Sequence, residues 1–175
     1  MKIIFIIFSL FLLTGCLNND MKPIDFKDQK PRLIIEEYLS GSVKAYGILQ
    51  NRSGKVTRQF TADLNGKWDG KQLILDEKFH WSDGEIQTRQ WQITKIDEHH
   101  YEGTAEDVVG IAKGFSYGPA FKFEYVLLVP VKGKEIKITF DDWIFMQDNK
   151  VAINRATMTK FGFKVAELTV SFIKN

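Results

Sequence analysis

From about residue 43 onward, apolar and polar residues alternate at period two, the pattern of strands that bury one face. In 55–65, Val56, Arg58, Phe60, Ala62 and Leu64 share one parity, opposed by Lys55, Thr57, Gln59, Thr61 and Asp63. In 72–81 the set is Leu73, Leu75, Glu77, Phe79 and Trp81; in 121–129 it is Phe121, Phe123, Tyr125, Leu127 and Val129. The even residues Ile136, Ile138, Phe140, Asp142, Ile144 and Met146 form another, as do Ala166, Leu168, Val170 and Phe172. Turn dipeptides fall between or near these runs at Ser53-Gly54, Asn65-Gly66, Asp69-Gly70, Asp83-Gly84, Gly118-Pro119, Lys132-Gly133 and Asp148-Asn149. The spacing predicts about ten strands. They are expected at 43–50, 55–65, 71–81, 85–96, 99–105, 108–117, 120–131, 134–146, 150–159 and 163–173.

Connections this short make sequence neighbours antiparallel partners. So many strands twist too far to remain an open sheet, so an all-β, up-and-down antiparallel barrel is expected over residues 31–175. Only PRLIIEEYLSG reads as helical, with Pro31 in the first turn, Gly41 as a stop and Leu33, Ile34 and Leu39 on one face. A membrane-spanning barrel is disfavoured, because its apolar faces would have to point outward around a polar lumen.

Ahead of the barrel the pattern changes. Lys2 precedes Ile3–Leu13, an apolar run broken only by Ser9, and Leu13-Thr14-Gly15-Cys16 follows. The run is too short to span a hydrocarbon core of ~30 Å and reads as a signal peptide over 1–15. The last four residues match a bacterial lipobox, which makes Cys16 the expected lipidation site, carrying acyl chains such as palmitate. Leu17 stands where an aspartate would favour inner-membrane retention, so the expected location is the outer membrane of a Gram-negative bacterium, on the periplasmic side. Residues 16–30 show no period and read as a tether.

Composition narrows the function classes. The 175 residues carry 24 Lys+Arg against 22 Asp+Glu, so no basic excess exists to neutralise nucleic-acid phosphates. A single cysteine excludes a disulfide framework and a cysteine-based zinc site. No P-loop, nucleophile elbow or dinucleotide fingerprint stands in register with a strand-to-helix turn, so neither enzymatic activity nor a cofactor is expected. His99 and His100 point to opposite sides of a strand, and with His80 read as surface residues; no metal site is expected. Asp141 and Asp142 are separated in the same way, which argues against a hydrolytic carboxylate dyad. Gly103, Gly110, Gly114 and Gly118 read as bends where a small barrel turns its corners.

The informative anomaly is charge in register with apolar neighbours: Arg58, Glu77, Asp142 and Arg155, with Arg89 on the parity of Trp91 and Ile93. An unpaired buried charge costs several kcal/mol, so these groups are paired, hydrated or ligand-facing. One reading is a structural network, Arg58 and Arg155 with Glu77 and Asp142. The other is a polar end to an apolar pocket, lined by Phe60, Phe79, Trp91, Phe123, Tyr125 and Phe140. There Arg58, Arg89, Trp91, Tyr125, Asp142 and Arg155 would contact a ligand. Three arginines against two carboxylates would leave one cation free to hold a carboxylate or phosphate.

Several stretches carry a resemblance: Ser82-Asp83-Gly84-Glu85 with Arg89 and Trp91; Gly103-Thr104-Ala105-Glu106-Asp107-Val108-Val109-Gly110; Asp141-Asp142-Trp143; Asn154-Arg155; and Lys160-Phe161-Gly162. On these the chain resembles an uncharacterised family of proteobacterial lipoproteins, a domain-of-unknown-function group with a calycin or lipocalin-like barrel. The resemblance implies that Arg89, Asp142, Trp143, Asn154 and Arg155 belong to the family pattern; it supplies no activity. The expected function is an outer-membrane lipoprotein whose lumen binds a fatty acyl or other amphipathic ligand. The alternative is a scaffold lipoprotein with a filled core that docks on a protein partner.

Overall fold

The computed structural model describes residues 21–131 and 133–175; Cys16, the signal peptide and the first part of the tether lie outside them. Ten strands close into one antiparallel barrel: β1 (Gly41–Asn51), β2 (Val56–Trp68), β3 (Gln72–Trp81), β4 (Ile86–Lys95), β5 (His100–Thr104), β6 (Ala112–Tyr117), β7 (Ala120–Val131), β8 (Lys134–Met146), β9 (Val151–Lys160) and β10 (Phe163–Lys174). Each strand pairs with its sequence neighbours, and β1 pairs with β10 to close the circle. The expected fold class is therefore the observed one. Hairpin ends are held by side chains that mimic backbone acceptors: Asp148 Oδ1 accepts from the amides of Lys150 at 2.8 Å and Val151 at 2.7 Å.

Two departures shape the barrel's ends. The helix shrinks to a single turn, α1 (Ile35–Tyr38), and Pro31 lies outside it. It nonetheless stoppers one end of the barrel, burying Leu33, Ile35, Tyr38 and Leu39. The Tyr38 hydroxyl donates to the carbonyls of Lys150 and Phe172, while Lys174 Nζ donates to those of Glu37, Tyr38 and Ser40. Asn65-Gly66, expected as a turn, instead runs through β2. A Cβ on Gly66 would sit 2.1 Å from the Leu39 carbonyl oxygen, so glycine is there to admit the stopper.

The second departure concerns the tether. Residues 23–26 form a 3₁₀ turn, Pro23–Phe26, and Phe26 packs edge-on against Phe145 with centroids 5.4 Å apart and beside Trp143 at 6.2 Å. Trp143 is thus buried on the outside of the barrel, under the N-terminal segment. β6 also starts later than expected. Residues 105–111 form a strap along β7, in which the Val109 amide donates to the Val126 carbonyl and Leu128 to Asp107, both at 2.8 Å.

Candidate functional site in the barrel lumen

The inward faces of the strands enclose a cavity of about 300 Å³, running from Ile35 and Leu39 of the stopper to Leu49, Arg58, Glu85 and Pro130 near the opposite rim. That volume is at the small end of ligand pockets. Aromatic rings form much of the wall. Trp91 lies 5.1 Å from Phe123 and 5.3 Å edge-on from Tyr125, which stacks on Phe140 at 4.9 Å. A wider depression of about 460 Å³ on the outer face, near Tyr46, Gln59, Thr61 and His80, is lined by no aspartate, glutamate, lysine or arginine.

Charged groups enter this apolar space in two clusters. Near the rim, Arg58 Nη2 donates to Asp83 and Glu85, each at 2.8 Å, with its guanidinium 4.0 Å above the Trp81 ring. The Asp83-Gly84 turn between β3 and β4 therefore supplies the partners of an arginine on β2. Deeper, Arg89 Nε donates to both oxygens of Asp107 at 3.0 Å and Nη2 to Oδ2 at 2.7 Å. Its cross-strand partner Glu77 approaches Nη1 at 3.7 Å and is 11% exposed; Glu77 Oε2 is buried without a hydrogen bond. Asp142 accepts from Asn154 Nδ2 and, at 2.9 Å, from the Tyr125 hydroxyl.

The proton affinities follow from this arrangement. Burial pushes the Glu77 carboxyl up to about 7, with Arg89 pulling it down and the charges of Asp142 and Asp107 pushing it further up. Burial likewise raises Asp142 to about 6, partly offset by the donors Asn154 and Tyr125. Desolvation opposes the charge on Arg89, but Glu77 and Asp107 more than restore it, so the guanidinium stays ionised.

The expected four-membered network is thus not the one that forms. Arg155 points out to water, 67% exposed, and bonds to Glu167 on β10. The reason is register: Asn154 pairs with the inward Ile144, which turns Arg155 outward beside Trp143. The inner face of β9 is small and mixed, Ala152, Asn154 and Ala156, whereas Ile153 is 40% exposed, so hydropathy points to the wrong side. Of the expected ligand-facing residues, Arg58, Arg89, Trp91, Tyr125 and Asp142 line the cavity and Arg155 does not. Asp107 is a site residue that sequence reasoning misses. It falls in the short connection between the strands expected at 99–105 and 108–117, and its only signal is its place in the Gly103–Gly110 segment.

Elsewhere, the expectation that His99 and His100 share a strand is not met, because His99 precedes β5 and both rings pack on the outward side of β6, against Tyr117 and Phe115. His99 stacks on Tyr117 at 4.1 Å, while His100 faces Asp97 at 2.8 Å. A different carboxylate, Glu36 of the stopper, is buried; it accepts from Lys95 and, at 2.8 Å, from the Tyr101 hydroxyl.

A family model for proteins of unknown function, DUF3833, matches residues 10–174. The chain belongs to the DUF3833 family. Among curated proteins there is no match to it. Solved barrels are similar to this DUF3833 chain in fold. One is the S-type phycobiliprotein lyase from Guillardia theta, at TM-score 0.59 and 8% identity over 80% of this chain and 90% of that one. Another is a protein of unknown function of the DUF3598 family from Nostoc punctiforme, at TM-score 0.62 and 14% identity; the match covers 84% of this chain and 51% of the other. At such identities the likeness is of fold alone.

Proposed function

We propose that this DUF3833 protein is a non-enzymatic lipoprotein, anchored through Cys16 to the periplasmic face of the outer membrane, that binds a small amphipathic molecule with an acyl-like chain in its lumen. The observation that carries the reading is a closed barrel around an aromatic-walled cavity of about 300 Å³ with ionisable groups set into one wall. A barrel that needed only stability would fill that space, since each void costs packing energy and each buried charge costs desolvation. Native mass spectrometry of the full chain, with solvent extraction of co-purified small molecules, tests it. A one-to-one adduct is expected. An empty protein that takes up no amphiphile at saturating concentration overturns the reading.

A second reading, docking on a protein partner, has one observation in its favour. Phe161 and Phe163, at the β9–β10 turn, are 90% and 76% exposed. Its filled-core form does not fit the cavity. Loss of a cross-linked neighbour in a Phe161→Ser, Phe163→Ser variant that still binds amphiphile would show both roles.

A further inference from the structure

The cavity wall holds more negative than positive groups. Two arginines, Arg58 and Arg89, face four carboxylates, Glu77, Glu85, Asp107 and Asp142. Both arginines already have carboxylate partners. Arg58 is shared between Asp83 and Glu85 near the rim, where its Nε is buried without an acceptor, and every hydrogen bond that Arg89 makes goes to Asp107. Glu77 keeps a buried oxygen with no donor, and Asp142 is held only by neutral donors, an amide and a phenol. Among the described residues neither luminal arginine lacks a carboxylate partner; around Glu77 and Asp142 the unmet demand is for positive charge.

Resting on the luminal-binding reading, we infer that the polar end of the ligand is a protonated amine, which enters among Glu77, Asp142 and the rings of Trp91 and Tyr125. An ammonium supplies three donors and no acceptor. It meets the Glu77 oxygen that has only the 3.7 Å approach of Arg89 and no hydrogen bond, and the carboxylate of Asp142, whose donors are both neutral. The faces of Trp91 and Tyr125 attract a cation through their quadrupoles. A carboxylate head group would add another anion to a low-dielectric space already short of counter-charge. Without ligand, the surplus is relieved by protonation, which is the direction in which Glu77 and Asp142 are both shifted. The groups that face Glu77 are Arg89 on β4, Asp107 in the strap, Asp142 on β8 and Tyr125 on β7, so amine binding exchanges protons for the ammonium.

Equal-length probes test this on the full chain held in an amphipol. Decylamine, decanol and decanoate compete at pH 8 against a bound neutral fluorophore, N-phenyl-1-naphthylamine. Decylamine is expected to displace it at least tenfold more tightly than decanoate, with decanol between. Lowering the pH to 5 narrows the gap, because protonated Glu77 and Asp142 no longer repel decanoate or attract the amine. Decanoate equal to or tighter than decylamine at pH 8 overturns the amine assignment and leaves luminal binding standing. Failure of all three probes to displace the fluorophore, or of the fluorophore to bind, overturns both. The variant Glu77→Gln, Asp142→Asn is expected to lose the amine preference. If it does not fold, the wild-type ranking and its pH dependence decide alone.

Discussion

Glu77 and Arg89 stand directly opposite each other on β3 and β4, 3.7 Å apart, yet the arginine gives its hydrogen bonds to Asp107. The strand pair supplies proximity, and the strap over 105–111 takes the geometry. Arg89 thus joins the strap to the barrel wall, and Glu77 is left to respond to pH and to whatever enters the lumen.

Arg89→Met and Arg155→Met separate inside from outside. The first leaves Asp107 and Glu77 buried without a cation and is expected to cost about 3–5 kcal/mol. The second breaks an exposed pair with Glu167 and is expected to cost under about 1 kcal/mol. Denaturant unfolding at pH 7 measures both; equal losses would place Arg155 in the core after all.

Stability is expected to fall as pH rises from about 4 to 7. Glu77 and Asp142 have folded values, about 7 and about 6, above their ordinary 4.5 and 3.8. The folded protein therefore keeps protons that the unfolded chain releases, and the advantage disappears once the folded groups ionise. Each tenfold rise in proton affinity on folding corresponds to ~1.4 kcal/mol, so the two groups make this a change of a few kcal/mol. Glu77→Gln should flatten the upper part of the curve, between about pH 5 and 7. A profile that rises over this window contradicts the burial of both groups.

The stopper carries the opposite sign. Although burial works against it, Lys95 and Tyr101 hold the Glu36 carboxyl below its ordinary 4.5, so its contribution is present above that pH and lost as pH falls through the lowered value. Tyr101→Phe removes a buried donor and is expected to cost about 1–3 kcal/mol at pH 7. Hydrogen exchange should show the loss first in α1 and in the Leu33 amide just before it, which donates to the Gly118 carbonyl, if the stopper is the part released.

Gly66→Ala and Gly54→Ala contrast two reasons for glycine. The new methyl at 66 meets a backbone carbonyl at 2.1 Å and must push the stopper away, an expected loss of about 3 kcal/mol. At 54 there is open space but φ is +83°, so only the conformational penalty of ~1–2 kcal/mol applies. Thermal unfolding of the two variants gives the ranking; reversal would mean that α1 does not rest on β2.

Strand number, order and closure were legible because a period of two says which residues face inward, and short turns leave sequence neighbours no partner but each other. β2, β3, β7, β8 and β10 kept the parity read from their large apolar residues. β9 did not, because its buried side is built from alanines and an asparagine, and Asn154 gains its place only by pairing with Ile144 and reaching Asp142. Asp107 was hidden for a related reason: the strap has no periodicity, and its orientation comes from bonds to Val126 and Leu128, far along the chain on β7.

Alternation along one strand is local, so the amino-acid order alone determined a closed antiparallel barrel with Arg58, Glu77, Arg89 and Asp142 on its inner side. Which of those charges meet is a matter of distance across the lumen and of loops folded over its rim. Only the tertiary structure decided that: it took Arg155 out, brought Asp107 in, and turned an expected surplus of positive charge into a deficit.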